Sequence, residues 1–232
     1  MNNRVIAFYD VDETIWRDKS VQSFFPYYLE CKHGTEADEY LGSFRAHLSK
    51  QLENKVSREE LNRWFYNKYF ENVSVNELRE IGASWYENKN KSNRFWNESV
   101  LESIEVHKNK GNKVVLVSGS FRELLLPLLE KISVTEYLCT PLEQNNDRYS
   151  GKLTSNPMIG YGKANAIVNF MSRNKANPKA CFAYGDDVSD VPFVGSVGNS
   201  YIVTNNGSSM SQLAIQMGFN RLLLDSVPVH AY

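Results

Sequence analysis

The sequence predicts an α/β fold: a doubly wound, Rossmann-like parallel sheet core that carries an inserted helical cap lobe. Three observations lead to this prediction. Short apolar runs of strand character alternate with amphipathic helical patterns. The runs are apolar at successive positions, as expected for strands that helices cover on both faces. Between about residues 20 and 93 this alternation stops, and the sequence shows helical patterns without strands.

Four apolar segments are predicted to be strands of one parallel sheet. They are the runs at 4–9, 113–117, 180–184 and, more weakly, 201–203. The helical patterns that follow or separate them lie at 98–110, 122–132, 163–173 and 209–217. Strands that alternate with helices indicate βαβ units, and therefore a parallel sheet with helices on both faces.

The helical stretch contains two sequences typical of helix N-termini. Ser57 and Glu60 form one capping box, Ser74 and Glu77 form a second, and apolar residues at helical spacing follow each. The domain prediction is therefore a helical cap at 18–93 and an α/β core made of 1–17 and 94–232. The aromatic residues of the cap are predicted to form its own core.

Composition limits the kinds of molecule that the protein is expected to bind. The chain has 232 residues and a formal net charge of -1, so it has no broad basic field for nucleic acid and no polybasic tail for a membrane surface. It has no run of about 20 apolar residues and no apolar leader of the signal-peptide type. Its three cysteines are widely spaced and contain no CxxC pair, which favours packed, reduced thiols in a cytoplasmic protein. A monomer or homodimer is expected.

Polar residues follow three of the predicted strands. Asp10 and Asp12 follow the first, Ser118 and Gly119 the second, and Asp186 and Asp190 the third. Ligands bind outside the carboxyl ends of strands in open parallel sheets, so these residues are expected in one cleft. Each cluster alone could equally be a solvated turn or a helix cap. Three clusters at equivalent strand ends favour a functional site.

The residue types in this cleft favour phosphoryl transfer at a metal. Four aspartates brought together repel one another unless a cation offsets their charge, and Mg²⁺ is the usual partner of a few carboxylates and a phosphate. One carboxylate can act as a nucleophile and another can transfer protons. Ser118, the amides near Gly119 and Lys163, at the start of a predicted helix, could bind the phosphate. Taken alone, Lys163 would be interpreted as a solvated surface lysine.

Four motifs in order resemble those of a known family. RVIAFYDVDET matches an apolar strand followed by DxDxT, and VVLVSGS matches a strand that ends in a phosphate-binding serine. Lys163 stands where a third-motif lysine is expected, and GDDVSD matches GDxxxD. The helical insertion matches a cap, and NNDRYSGKL at 145–153 matches a small flap hairpin. The chain resembles the haloacid dehalogenase-like phosphatases, subfamily IB, the phosphoserine-phosphatase-like group.

The resemblance implies a role for each matching residue. Asp10 looks like the nucleophile and a metal ligand. Asp12 looks like the general acid and base, with its backbone carbonyl on the metal. The implied phosphate-binding residues are Thr14, which also supports the loop, Ser118, Gly119 and Lys163. Asp186 would bind Mg²⁺ directly, and Asp190 would support it through water or a hydrogen bond. Mg²⁺ and Lys163 together are expected to lower the pKa of Asp10.

The implied activity is Mg²⁺-dependent hydrolysis of a small phosphomonoester through an aspartyl-phosphate on Asp10. Lys19 stands where phosphoserine phosphatases place a glutamate, which argues against phosphoserine as the substrate. Glu13 matches some phosphocholine and phosphoethanolamine phosphatases, and Asp187 stands where glycine or serine is common. Transfer to an acceptor alcohol, a receiver-like binding module and, more weakly, a dehalogenase remain open alternatives.

Overall fold

A computed structural model describes residues 4–92 and 94–224. Six parallel strands form one sheet in the order β3-β2-β1-β6-β7-β8, and β4 and β5 form a separate antiparallel hairpin. The strands are β1 Ile6–Asp10, β2 Lys113–Ser118, β3 Glu136–Cys139, β4 Leu142–Asn145, β5 Arg148–Leu153, β6 Phe182–Gly185, β7 Asn199–Thr204 and β8 Asn220–Leu223. The predicted α/β fold with a Rossmann-like parallel sheet is confirmed.

Helices cover both faces of the sheet and fill the stretch between β1 and β2. They are α1 Ser20–His33, α2 Ala37–Glu53, α3 Arg58–Phe70, α4 Val75–Asn90, α5 Glu98–Asn109, α6 Arg122–Lys131, α7 Tyr161–Arg173, α8 Val191–Val194 and α9 Ser209–Met217. Single 3-10 turns occur at Gly34–Glu36, Pro178–Ala180 and Val188–Asp190. Within the described residues, no helix is both long and apolar enough to cross a bilayer.

The central strand β1 is buried on both faces, which explains its unbroken apolar sequence. Ala7 and Tyr9 belong to a core cluster that includes side chains of α5 and α6. Ile6 and Phe8 belong to a second cluster that includes side chains of α7, α8 and α9. Because side chains alternate along a strand, the two clusters lie on opposite faces of the sheet.

A ladder of tyrosines across the sheet fixes the register of β1, β6 and β7. Tyr9 pairs with Tyr184, which pairs with Tyr201, and the Tyr9 and Tyr184 rings stack with centroids 4.3 Å apart. His107, on α5, closes this layer because its Nε2 lies 2.9 Å from the Tyr184 hydroxyl. The ladder aligns β1 with β6, two of the three strands whose carboxyl ends carry the polar clusters.

The stretch 20–90 folds into α1 to α4, as the sequence predicts. The Ser57 side chain accepts a hydrogen bond from the Glu60 amide, and the Glu60 side chain reaches back to complete the capping box. The Ser74 side chain accepts from the Glu77 amide, but the Glu77 carboxylate pairs with Lys32 instead of closing a second box. Most of the large aromatic residues here are buried, as predicted for a core: Phe24, Phe25, Tyr28, Phe65, Tyr66, Phe70, Trp85 and Tyr86.

Two strands of the sheet were not predicted from the sequence. Both are short and lie at its edges: β3 is only partly buried along its length, and β8 is mostly exposed. Neither has the continuous apolar run that identifies a buried central strand. The predicted surface tail at 227–232 lies outside the described residues. Among the cysteines expected to be packed, Cys181 is buried and Cys139 is partly buried, but Cys31 is exposed.

Candidate active site

The polar clusters predicted at strand ends meet at one edge of the sheet. β1 ends at Asp10, β2 ends at Ser118, and β6 ends at Gly185, directly before Asp186. These strands are neighbours and parallel, so their carboxyl ends lie side by side. The first turn of α7 brings Lys163 to the same edge.

Lys163 lies at the centre of this site. Its Nζ is 2.6 Å from Asp10 Oδ1 and 2.7 Å from Asp190 Oδ1, and all three residues are buried. Gly185 makes room for this arrangement, because a Cβ there would lie 2.8 Å from Asp190 Oδ2. Lys163 is therefore an interior ion-pair partner rather than a solvated surface lysine.

The loop after β1 turns tightly and places Thr14 among the carboxylates. Glu13 adopts a positive φ of 59°, and the Ile15 amide donates to the Val11 carbonyl at 2.9 Å. The fully buried Thr14 hydroxyl donates to Asp186 Oδ1 at 2.8 Å and lies 3.3 Å from Asp10 Oδ2. Thr14 thus links the nucleophile candidate to the carboxylate that follows β6.

Three carboxylates form a group that fits a metal ion. One oxygen each from Asp10, Asp186 and Asp190 lie within 4.8 Å of one another. Asp10 and Asp190 are buried and share the single ammonium of Lys163, while Asp186 is partly buried beside them, so the ionised group carries excess negative charge. Hard carboxylate oxygens in small number are the donors that Mg²⁺ prefers, and the residues therefore fit that ion.

The pKa values of these carboxyl groups reflect the same charge excess. Burial raises the pKa of Asp10 well above its ordinary value, and the adjacent ammonium of Lys163 only partly opposes this. Burial, assisted by Asp190, raises the pKa of Asp186 to about 7. Burial opposes the charge of Lys163, but Asp10 and Asp190 outweigh it and raise the pKa of Lys163. Lys163 thus lowers the pKa of Asp10 by less than burial raises it, and the expected ionised nucleophile requires further positive charge.

Asp12 is held apart from the three-carboxylate group. Its Oδ1 accepts a hydrogen bond from Trp16 Nε1 at 2.9 Å, and its Oδ2 accepts one from Ser20 Oγ at 3.0 Å. Burial raises the pKa of Asp12, while these two hydrogen bonds oppose the rise. Trp16 and Ser20 were not identified from the sequence, although Ser20 at the start of α1 is the kind of residue that caps or orients.

Hydrogen bonds hold the loop after β2, which the sequence predicts to bind phosphate. Ser118 is fully buried, and its Oγ accepts a hydrogen bond from the Ser120 amide at 3.0 Å. Thr140, which follows β3, donates from its hydroxyl to the Gly119 carbonyl at 2.8 Å and accepts from the Met158 amide at 3.2 Å. Thr140 thus ties the loop to the segment that leads into α7. The sequence contains no local signal for this role.

Two charged residues singled out from the sequence lie at the margin of the site. Lys19 pairs with Glu13 at 3.0 Å, and both side chains are about half exposed. Asp187 is exposed, and its Oδ1 accepts from the Ser189 amide at 2.9 Å, which caps the following turn. The charge of Lys19 is thus offset by Glu13, which weakens the argument against a cationic substrate group.

Comparison with known proteins identifies the sequence pattern. A sequence model of the haloacid dehalogenase-like hydrolases matches residues 7–194. A phosphoserine phosphatase of Mycobacterium tuberculosis is 27% identical over 215 residues, which are 92% of this chain and 68% of that protein.

Two solved structures share the fold. A protein from Bordetella pertussis, described as having unknown function, superposes with a TM-score of 0.75 at 17% identity, covering 95% of this chain and 99% of that one. A phospho-aspartyl intermediate analogue of phosphoserine phosphatase superposes with a TM-score of 0.60 at 14% identity, covering 96% of this chain and 94% of that one.

Proposed function

The chain belongs to the haloacid dehalogenase-like hydrolase family, and on that premise we propose that it is a Mg²⁺-dependent phosphatase. It hydrolyses a small phosphomonoester through an aspartyl-phosphate on Asp10. One observation carries the proposal: Lys163 bridges Asp10 and Asp190, and Asp186 completes a three-carboxylate group around the same point. The relative named a phosphoserine phosphatase and the fold neighbour described as a phospho-aspartyl analogue support it.

In the first half-reaction, Asp10 attacks the phosphorus of the substrate. The bond between phosphorus and the leaving oxygen breaks, and Asp12 gives its proton to that oxygen, so the alcohol departs neutral. Ser118 and the amides of its loop hold the phosphoryl oxygens, with Lys163 beside them. Burial favours the protonated form of Asp12 that this step requires.

In the second half-reaction, Asp12 acts in the opposite direction. It takes a proton from a water molecule, and the water oxygen attacks the phosphorus of the aspartyl-phosphate. Inorganic phosphate leaves, and the Asp10 carboxylate is restored. The hydrogen bonds from Trp16 and Ser20 hold the Asp12 carboxyl in one orientation for both transfers.

We propose that Asp10, Asp186 and Asp190 hold the Mg²⁺, together with the backbone carbonyl of Asp12. When bound, the ion supplies positive charge that offsets the negative charge of the carboxylates and of the phosphate. Thr14 orients two of the carboxylates through its hydroxyl. The side chain of Asp12 is outside this group of metal ligands, and hydrogen bonds from Trp16 and Ser20 hold it in the orientation proposed for proton transfer.

The helical stretch at 18–93 is proposed to act as the cap of the site. Tyr66, on α3, packs against Phe121, in the loop that carries Ser118, with ring centroids 6.0 Å apart. Arg63 donates to Asn156 Oδ1 at 3.0 Å and joins the same helix to the segment before α7. Such a cap excludes water from the bound phosphate, and its contacts with the leaving group select the substrate. The substrate is a small metabolite rather than a nucleic acid or a membrane lipid, and the protein acts as a monomer or homodimer.

Turnover of p-nitrophenyl phosphate tests the proposal. The unaltered protein should release nitrophenolate with Mg²⁺ and lose this activity after exhaustive EDTA treatment. Asp10→Asn should be inactive, while Asp38→Asn, a matched change at an exposed aspartate of α2, should remain active. In the presence of added acceptor alcohols, the product should still be inorganic phosphate. Phosphorylated acceptor in place of inorganic phosphate would identify a phosphotransferase, and turnover by Asp10→Asn would contradict the mechanism.

A further inference from the structure

A second set of polar side chains is buried beside the proposed catalytic residues, between α3 and the loop that joins β2 to α6. Within the described residues, three of them have a polar atom without a hydrogen-bond partner: Tyr66 OH, Ser120 Oγ and Glu123 Oε2. Tyr66 and Ser120 are 0% exposed and Glu123 is 1% exposed. A buried polar group without a partner costs stability, so this cluster calls for an explanation.

Glu123 is the most unusual member because its charge has only a loose partner. Its Oε1 lies 3.4 Å from Nη1 of Arg122, a residue whose side chain is 42% exposed and whose Nε donates to Tyr137. The Tyr149 hydroxyl accepts a hydrogen bond from Gln144 at 3.2 Å, and it lies close enough to Glu123 to donate its own proton to that carboxylate. A carboxylate offers about four acceptor sites, and Glu123 Oε2 makes no hydrogen bond within the described residues, so it can still accept from a donor outside the chain.

The cluster lies against the loop that joins β2 to α6. The Tyr66 ring packs against Phe121 of this loop with centroids 6.0 Å apart, and Glu123 follows in the first turn of α6. Ser120 belongs to the proposed phosphate loop, since its amide donates to Ser118 Oγ. The leaving alcohol is attached to the phosphate that this loop is proposed to hold, so polar groups that pack against the loop under α3 can contact that alcohol.

We infer that Tyr66, Ser120 and Glu123 form the binding site for the leaving group. They select a small alcohol that carries hydrogen-bond donors, an ammonium or hydroxyl group, and that lacks a carboxylate. A carboxylate and hydroxyl groups accept from such donors, whereas Glu123 repels an anionic alcohol. This inference rests on the proposed phosphatase function and adds the chemical class of its substrate.

Tyr86 provides a matched control elsewhere in the helical stretch. Its hydroxyl is also buried without a partner among the described residues, but its ring packs against Trp16, Phe95 and Trp96. Tyr86→Phe and Tyr66→Phe thus remove the same atom from two buried tyrosines. The Tyr66 ring packs against Phe121, in the loop that carries Ser118, whereas the Tyr86 ring packs against residues outside that loop.

The test compares kcat/KM for four esters across the unaltered protein and three variants. The esters are phosphoethanolamine, glycerol 3-phosphate, 3-phosphoglycerate and p-nitrophenyl phosphate, whose leaving group has neither an ammonium nor a carboxylate. The inference predicts that Glu123→Gln lowers kcat/KM for phosphoethanolamine about tenfold or more, raises it for 3-phosphoglycerate and changes it less than about twofold for p-nitrophenyl phosphate. Tyr66→Phe should lower kcat/KM for the two esters whose alcohols carry donors, and Tyr86→Phe should change no ratio.

The two donor-bearing esters distinguish an amino alcohol from a polyol, and a selective loss for either supports the inference. Equal changes for all four esters, or unchanged ratios in both Glu123→Gln and Tyr66→Phe, would overturn it while leaving the phosphatase function intact. If the unaltered protein hydrolyses none of the four, the proposed function fails and the inference fails with it. Thermal unfolding of each variant shows whether it is folded under the assay conditions.

Discussion

The ammonium of Lys163 lies 2.6 Å from the carboxylate of Asp10, although 153 residues separate them along the chain. The same ammonium lies 2.7 Å from Asp190, so one cation joins the end of β1, the start of α7 and the segment after β6. The contact aligns the proposed nucleophile and supplies part of the positive charge that a phosphate needs. It leaves the three carboxylates with excess negative charge, which is the reason for proposing Mg²⁺.

Replacing Lys163 tests this arrangement. Lys163→Met removes the charge while keeping a flexible apolar chain, and kcat should fall by about 10²–10³ because a phosphate-stabilising group is lost. Mg²⁺ should still bind in a calorimetric titration, since all three carboxylates remain and their competing cation is gone. Lys68→Met, at an exposed position of α3, is the control and should keep native kcat. Native kcat in Lys163→Met would show that the buried ion pair is only structural.

The metal requirement should depend on Asp186. Asp186→Asn keeps the shape of the side chain but removes one charge from the group, so the affinity for Mg²⁺ should fall at least about tenfold in calorimetry. Activity of this variant should recover in part at high Mg²⁺. Ca²⁺ should support little turnover in the unaltered protein, because its larger and looser coordination disturbs in-line attack. Equal activity with Ca²⁺, or unchanged Mg²⁺ affinity in Asp186→Asn, would contradict this assignment.

Ser20 is predicted to act by positioning Asp12. Ser20→Ala removes the hydrogen bond at 3.0 Å, so proton transfer to the leaving oxygen should slow. Hydrolysis of an alkyl phosphate should fall about fivefold to tenfold, which is the usual worth of one hydrogen bond, while p-nitrophenyl phosphate should change little. Ser23→Ala, one turn further along α1, is the control. Equal losses with both substrates would instead indicate general damage to the site.

The buried His107 should make stability depend on pH. Burial lowers the pKa of His107 from 6.5 to about 4. Between these values the unfolded chain binds a proton that the folded chain does not, so acidification favours unfolding. His107 contributes no pH dependence above about pH 7, and it should destabilise the fold by up to about 1.4 kcal/mol per pH unit below 6.5.

Urea unfolding between pH 5 and pH 7.5 measures this effect. His107→Gln should be less stable at pH 7.5 by about 1 kcal/mol, because the contact with Tyr184 at 2.9 Å changes, but its stability should fall less steeply on acidification. Tyr184→Phe removes that partner and keeps the imidazole, so it should retain the steep dependence. An unchanged slope in His107→Gln would show that other groups govern the acid sensitivity.

The strands could be predicted where a continuous apolar run in the sequence indicates that both of their faces are buried. β1, β2 and β6 are continuous apolar runs because both faces of the sheet are covered, and that pattern identifies them without tertiary information. The edge strands β3 and β8 have four residues each, and these residues are all partly buried in β3 and mostly exposed in β8. A run so short has no distinct period, so only its pairing with a neighbouring strand identifies it.

The site could be predicted where its residues sit at strand ends. Asp10, Ser118 and Asp186 follow apolar runs, and the topology of a parallel sheet is enough to bring them together. Tyr66, Glu123 and the other groups that contact them come from segments that meet only through packing between α3 and the loop before α6. No local spacing identifies such contacts. Lys19 is a case in which sequence position was misleading. Its position predicted that it would repel a substrate ammonium, but in the structure Glu13 offsets its charge.

The most direct test of the account is the identity of the phosphorylated residue. Asp12→Asn should keep the nucleophile and lose proton transfer, a contribution of about 10²–10⁴ in rate. Because p-nitrophenolate leaves without a proton, this variant should still be phosphorylated but should hydrolyse its intermediate slowly. Acid-quenched protein incubated with Mg²⁺ and p-nitrophenyl phosphate should therefore carry one phosphoryl group, which peptide mass spectrometry should locate on Asp10. A phosphoryl group on Ser118, or retained turnover in Asp10→Asn, would contradict the aspartyl-phosphate mechanism.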